Sequence, residues 1–484
     1  MRTLLGATAL VVLAAGCKAD LNIDNPNSAT VSGATSDPSA LQLLATGLFV
    51  DQRGTRGGFI TNAGIFGRES YTFSPQDGRF TTHPLIGITV GGIQKIDPTG
   101  FSVGPWGGEY GALRDIFNFK NTITANATLS AAQKSPAIGM AQTFEGLMLL
   151  EIVQTHDTLG GITEIKDNPT DLSPFVTRDS VYKYILNTFD AAAKNLAAGG
   201  GSFPFTLPPG FKGFDTPTTF AQFTMALKAR AAANYATLGG GSAAWQATLS
   251  ALNASFMNTA ATSRAQFDVG VYDTYGASPD SPNPLSSATN TNLYAHMSIQ
   301  KDVQMKADGV TPDDRYTAKI RTGLQSRQGP ITADGPTSAS STLGFSIWPT
   351  VSSPIPIIRN EELILLQAEA RLATGDKAGA IADINQVRVN SGGLPPSTLT
   401  AGSSADDILT GILYEKRYSL LMEGQRWIDM RRYNRLDQLP LDVASGPNKN
   451  FVAKVNPIPQ SECLVRAKVT GNLLGPNGQN DCAP

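Results

Sequence analysis

Histidine and cysteine are nearly missing from this chain, with three of each in 484 residues. His83, His156 and His296 stand far apart, without the spacing that gathers ligands around a metal. Charge is scarce as well: Asp, Glu, Lys and Arg make up 16%, against a usual quarter or so. The 38 Lys and Arg nearly cancel the 40 Asp and Glu, so the chain lacks the basic excess that displaces counterions from nucleic acid. It has no P-loop, no dinucleotide fingerprint and no H-E-x-x-H pair. No cofactor is implied. No apolar run is long enough to cross a hydrocarbon core of about 30 Å. What is abundant is neutral: 48 Gly, 30 Pro and 41% apolar residues, enough for a sizeable core.

The first residues read as a targeting segment. Arg2 gives a positive start, and Leu4 to Leu13 is apolar but too short to span a bilayer. Ala14-Ala15-Gly16 then precedes Cys17, which resembles a bacterial lipobox; the other reading is an ordinary signal peptide with an incidental cysteine. On the lipobox reading, residues 1–16 are removed, Cys17 is acylated and 17–35 form a polar tether. Cys463 and Cys482 remain. In an exported, oxidising setting they are expected to pair, which would stabilise by roughly 3 kcal/mol.

The rest reads as mainly α: helical pairs interrupted by long loops. Ala40–Asp51 is expected as the first helix, and 52–108 as loops with one short helix. Helices follow over Glu109–Ala125, from Ser130 to about Thr155, and over Ser180–Leu196. Phe220–Leu238 pairs with Ala243–Met257, and Asn360–Thr374 with Asp376–Asn390. Small residues recur in both pairs: Ala231, Ala233 and Ala236 in one, Ala368, Ala370 and Ala373 in the other. This is a faint tetratricopeptide-like period. A last long helix is expected from about Ala405 to Tyr433. Residues 263–357 are expected to hold short strands and turns, since a structureless loop of that length is improbable.

Gly100-Phe101-Ser102-Val103-Gly104 fits the G-x-S-x-G nucleophile elbow, but neither flank supplies the required strand and helix. Paired carboxylates could serve glycoside hydrolysis. Here Glu362, Glu369, Glu415, Glu423 and Asp429 lie on helices near Arg359 and Arg426, so we read them as structural ion pairs. Glu423, Arg426 and Asp429 stand at successive i, i+3 positions. Aromatics in loops poor in charge suit sugar stacking or loop anchoring: Trp348 first, then Trp106, Tyr71 and Tyr294, with Phe80 and Tyr110 nearby.

One order of motifs is distinctive. Arg359-Asn360-Glu361-Glu362-Leu363 is followed by Ala368-Glu369-Ala370, Gly375 and Asn385-Gln386-Val387-Arg388. Ile412-Leu413-Tyr414-Glu415-Lys416-Arg417, Glu423-Gly424-Gln425-Arg426-Trp427-Ile428-Asp429-Met430-Arg431-Arg432 and Pro457-Ile458-Pro459 complete it. This resembles the SusD/RagB family of nutrient-uptake outer-membrane lipoproteins, and Trp106 to Tyr110 and Arg178 to Ile185 resemble its N-terminal half. The resemblance implies tetratricopeptide-like helical pairs with long loop-rich elaborations and few short strands, as one domain over 36–484. Its helical scaffold would cover about 36–260 and 359–436, with a loop-rich insertion at 263–357 and an irregular tail at 437–484. It implies a SusC-like TonB-dependent β-barrel transporter as partner, an oligosaccharide or peptide cargo, a lipid anchor in the outer membrane, and no catalysis. A helical-repeat adaptor and an anchored glycan hydrolase are the alternatives. The anchor is directly testable: Cys17→Ser is expected to abolish metabolic fatty-acid labelling and membrane retention, and unchanged labelling would contradict it.

Overall fold

The computed structural model describes residues 38–168, 170–328 and 339–470. Cys17, the predicted tether and Cys482 lie outside the described residues. The scaffold begins with α1 (Pro38–Phe66), α2 (Arg79–Leu85), α3 (Gly107–Ala125), α4 (Ala131–His156) and α5 (Arg178–Ala197). It continues with α6 (Pro217–Tyr235) and α7 (Gly241–Asn253). After the insertion, whose longest helix is α8 (Asp314–Lys319), come α9 (Asn360–Ala373), α10 (Lys377–Asn390), α11 (Ala405–Ser419), α12 (Arg426–Arg432) and α13 (Gln460–Thr470). Neighbours in sequence pack on each other: α3 on α4, α4 on α5, α5 on α6, α6 on α7 and α9 on α10. Helix α9 also packs on α7 and α11, joining the two halves. The fold is mainly α with few short strands, as expected. Among the described residues, no helix is long and apolar enough to cross a membrane.

The helix starts follow local chemistry. Gln133 accepts a hydrogen bond from the Ser130 N–H (3.0 Å), and Ser404 Oγ accepts from the Asp407 N–H (3.0 Å); each satisfies a backbone N–H at a helix start. Pro217 opens α6 behind Thr216, where a missing N–H costs nothing.

The strands form two-stranded antiparallel ladders. Strand β1 (Ser70–Thr72) pairs with β5 (Leu293–Ala295), and β2 (Ile88–Val90) with β3 (Ile93–Lys95). In the insertion, β6 (Ile320–Arg321) pairs with β9 (Gly344–Phe345), and β7 (Arg327–Gln328) with β8 (Ser340–Ser341). The insertion closes on itself because β4 (Gly270–Asp273), near its start, pairs with β10 (Ile355–Arg359) at its end.

Three expectations need correction. Helix α1 runs on to Phe66 where loops were expected. Five glycines interrupt its pattern, at about 1 kcal/mol of helix propensity each. Burial of Gln52, Arg56, Phe59, Ile60, Ala63 and Phe66 along one face overrides that cost. The single helix expected to Tyr433 is two, α11 and α12, because the chain turns at Met422 (φ 58°) and Gly424 (φ 79°). The second value is one that glycine adopts without strain. The tail read as irregular contains α13.

That break also corrects the ion pairs. Glu423, Arg426 and Asp429 do not form a run along one helix. Glu423 turns to Arg359 (2.7 Å), and Asp429 binds Lys416 (2.8 Å) and Arg432 (2.8 Å). Arg426 forms no ion pair among the described residues; its Nη1 donates only to the Leu413 carbonyl at 3.4 Å. The other predicted members are paired. Glu362 binds Arg230 (2.6 Å), Glu369 binds Lys416 (2.7 Å) and Arg432, and Glu415 binds Arg315 (2.6 Å) and Arg388 (3.1 Å). Arg359 also pairs with Glu361, which takes a further bond from Arg264 (2.6 Å). Burial alone would raise the Glu361 carboxyl, but the Arg359 and Arg264 guanidiniums outweigh it and hold it well below the usual range. Removing one partner of such a buried set leaves charge uncompensated. Arg359→Ala is expected to cost about 3–5 kcal/mol and Arg426→Ala clearly less, read from denaturant melts. Equal losses would contradict this ranking.

Candidate functional site

A cavity of about 870 Å³ is an open cleft whose floor is formed by α1 and the start of α3. Asp51, Gly54, Thr55, Gly58 and Asn62 supply the α1 side at helical spacing. Gly107, Gly108, Gly111 and Asp115 supply the α3 side. The opposite face of α1 is anchored by Arg56, which reaches Glu151 on α4 (2.7 Å) and Asp273 on β4 (3.4 Å). Gly57 is constrained from the insertion side: a Cβ there would stand 2.6 Å from the Pro284 ring. Pro284, Leu285 and Asn290 form that wall, and the 101–106 loop forms another.

Two exposed rings stand at the mouth. Phe80, 40% exposed, and Phe101, 51% exposed, stack at 4.8 Å and 18°. The Arg79 guanidinium lies 4.6 Å from the Phe101 ring centre and is held by Asp77 at 2.7 Å. Such a fixed pair presents an apolar face to a flat C–H surface at little entropic cost.

The cleft wall is acidic. Asp51 and Asp115 share a hydrogen bond across the two helices; burial, then the facing Asp115 charge, raise Asp51 to about 6. Burial, then Glu151, raise Glu109 to about 8. Carboxyl oxygens and the neutral groups of Thr55, Thr61 and Asn62 suit the hydroxyls of a polar ligand.

The structure redistributes the predicted aromatics. Trp348 is 1% exposed and packs in the core beside Phe345 (6.4 Å), so it offers no stacking face. Tyr71 is sandwiched between Phe73 (4.9 Å) and His296 (4.8 Å), and its hydroxyl donates to Asp442 (2.9 Å). Both are corrected to core residues, because apolar burial outweighs the loop position that suggested exposure. Trp106 does line the cleft, yet it is 5% exposed, with its ring held edge-on to Tyr110 (4.9 Å) and His156 (4.8 Å). Tyr294 is buried against Phe73 (5.6 Å) and lines a separate, smaller pocket. In the G-x-S-x-G segment the serine is buried in a turn, and the neighbouring Phe101 is the residue that reaches the cleft mouth. Cys463 is buried in α13 and disulfide-bonded.

The comparisons agree with the motif order. Residues 270–472 match the SusD family. A SusD-like protein of Formosa agariphila is 36% identical over 88 residues, which span 17% of this chain and 17% of that relative. A solved SusD-like protein from Bacteroides fragilis superposes with a TM-score of 0.64 at 17% identity, covering 90% of this chain and 96% of its own. A second from that organism, a SusD-like carbohydrate-binding protein, gives 0.63 at 14%, covering 89% and 99%. At these identities the likeness of the two structures is one of fold, and with the family match it bears out the SusD/RagB resemblance.

The Asp51–Asp115 contact has a pH signature. The folded state holds the Asp51 proton to about 6, whereas the unfolded chain releases it near 3.8. Stability therefore falls as pH rises through that window. Asp51 is partly exposed, so solvent screening reduces the effect to roughly 1 kcal/mol. The difference in melting temperature between Asp51→Asn and the parent is expected to grow in the variant's favour from pH 4 to pH 7. Parallel curves would contradict the contact.

Proposed function

We propose that the chain, whose residues 270–472 match the SusD family, is a lipid-anchored outer-membrane receptor that captures an oligosaccharide in the α1–α3 cleft. The captured nutrient passes to a SusC-like TonB-dependent transporter. The exposed Phe80–Phe101 stack over the glycine floor carries this reading: it offers a sugar a stacking face, with hydroxyl partners on the cleft wall. Glycine along two helix faces leaves room for a bulky, hydrated ligand to lie against backbone. That one structural neighbour is a SusD-like carbohydrate-binding protein supports the same class.

Catalysis is not part of the proposal. Asp51 and Asp115 are in hydrogen-bond contact, closer than the about 5 Å or more between carboxylates that flank a scissile glycosidic bond. The neighbouring Glu109 is largely buried. The lipid on Cys17 and a Cys463–Cys482 disulfide pinning the C-terminal segment belong to the same proposal; free-thiol labelling of Cys482 in non-reduced protein would remove the second.

Titration calorimetry against a panel of oligosaccharides tests the site. Phe80→Ala with Phe101→Ala is expected to weaken a bound glycan by about 1–3 kcal/mol, the range for a truncated binding anchor, and to leave the melting curve unchanged because both rings are exposed. Unaltered affinity would move the site elsewhere. Binding of no glycan or peptide, with retention of a membrane protein partner, would favour the adaptor reading instead.

A further inference from the structure

A second pocket, about 300 Å³, shares Leu285 and Asn290 with the cleft and so opens beside it. Its lining includes Arg321, Arg327, Tyr294 and Gln325, and among the described residues no carboxylate. Neither arginine forms an ion pair among the described residues. Arg230, Arg315, Arg359 and Arg432, by contrast, are each neutralised by a carboxylate. Two like charges facing one small cavity repel, and an anion between them relieves that repulsion. Guanidinium groups present planar pairs of N–H donors that match carboxylate and sulfate oxygens.

The backbone holds both arginines in place. Arg321 ends β6, in register with Gly344 of β9, and Arg327 opens β7, in register with Ser341 of β8. The chain between them turns at Gly323 (φ 72°), and the Leu324 N–H donates to the Thr342 carbonyl (3.0 Å). Two ladders thus present both side chains to one space before any ligand arrives. Asn290, Gln325 and Thr291 add neutral partners for hydroxyls beside them.

We infer that Arg321 and Arg327 form an anion subsite that selects an acidic oligosaccharide, one whose sugar carries a carboxylate or a sulfate ester. This rests on the cleft being the cargo site. The two regions have opposite character: the Asp51–Asp115 carboxyl pair lines the cleft, and two cations line the adjoining pocket. An anionic substituent is repelled by the first and drawn into the second, so the cargo has one orientation, with its neutral rings over Phe80 and Phe101.

The test is an oligosaccharide array in which each neutral backbone is matched with its uronate and sulfated forms, followed by calorimetry on the parent and on Arg321→Gln/Arg327→Gln. At least one acidic form is expected to bind tenfold or more tightly than its neutral counterpart. The double substitution and high salt are each expected to remove that preference while neutral binding and the melting curve stay unchanged. Preference for the uronate or for the sulfated form identifies the anion. Neutral glycans binding through Phe80 and Phe101 with no acidic preference, or a preference that survives the double substitution, would overturn this inference alone. An array with no binding at all would overturn it together with the cargo reading.

Discussion

Arg359 is the residue on which the rest of the structure depends. It ends β10, the strand that closes the insertion, and stands immediately before α9, the helix that joins the two halves of the scaffold. Its guanidinium is buried and shared among Glu361, Glu423 and the Ser419 carbonyl. A charge in that position is tolerable only when every donor is met. Burial alone would lower its affinity for the proton; Glu423 and Glu361 more than offset that and hold it well above the ordinary arginine range. Pairing with Glu423 fixes the turn between α11 and α12. That turn places Trp427 against Phe66 of α1, 5.0 Å between ring centres, with the indole N–H donating to the Ala453 carbonyl (2.8 Å). Helix α1 is thereby held where its opposite face can floor the cleft.

Much of this was legible in the sequence, and the failures have physical causes. The order of motifs from Arg359 to Pro459 identifies the scaffold, and the helical pairs follow from periodicity and from capping at Ser130 and Ser404. The second half of α1 was missed because Gly54, Gly57 and Gly58 argue against a helix locally. The signal that could have found it is the 3.6-residue recurrence of Arg56, Phe59, Ile60, Ala63 and Phe66. Spacing showed that Glu423, Arg426 and Asp429 could pair, but partner choice was set by Arg359 and Lys416 from distant elements. Trp348 and Tyr71 drew attention by size, and that same size draws them into the core. Phe101 lay inside a motif weighed for its serine, so its ring went unconsidered.

The scarcity of charge gains a meaning in this arrangement. Buried ion pairs join the scaffold elements to one another, and Arg315–Glu415 ties the insertion to α11. The cleft carboxyls, and two arginines beside it that form no ion pair among the described residues, are local features able to orient a ligand.

The central claim is that the α1–α3 cleft is where cargo binds. A structure determined with a bound oligosaccharide tests it most directly. The account requires a sugar ring in van der Waals contact with Phe80 or Phe101, and hydroxyls within hydrogen-bond distance of Asp51 or Asn62. A sugar seated on another face with this cleft empty, or one cleaved in the crystal, would contradict it.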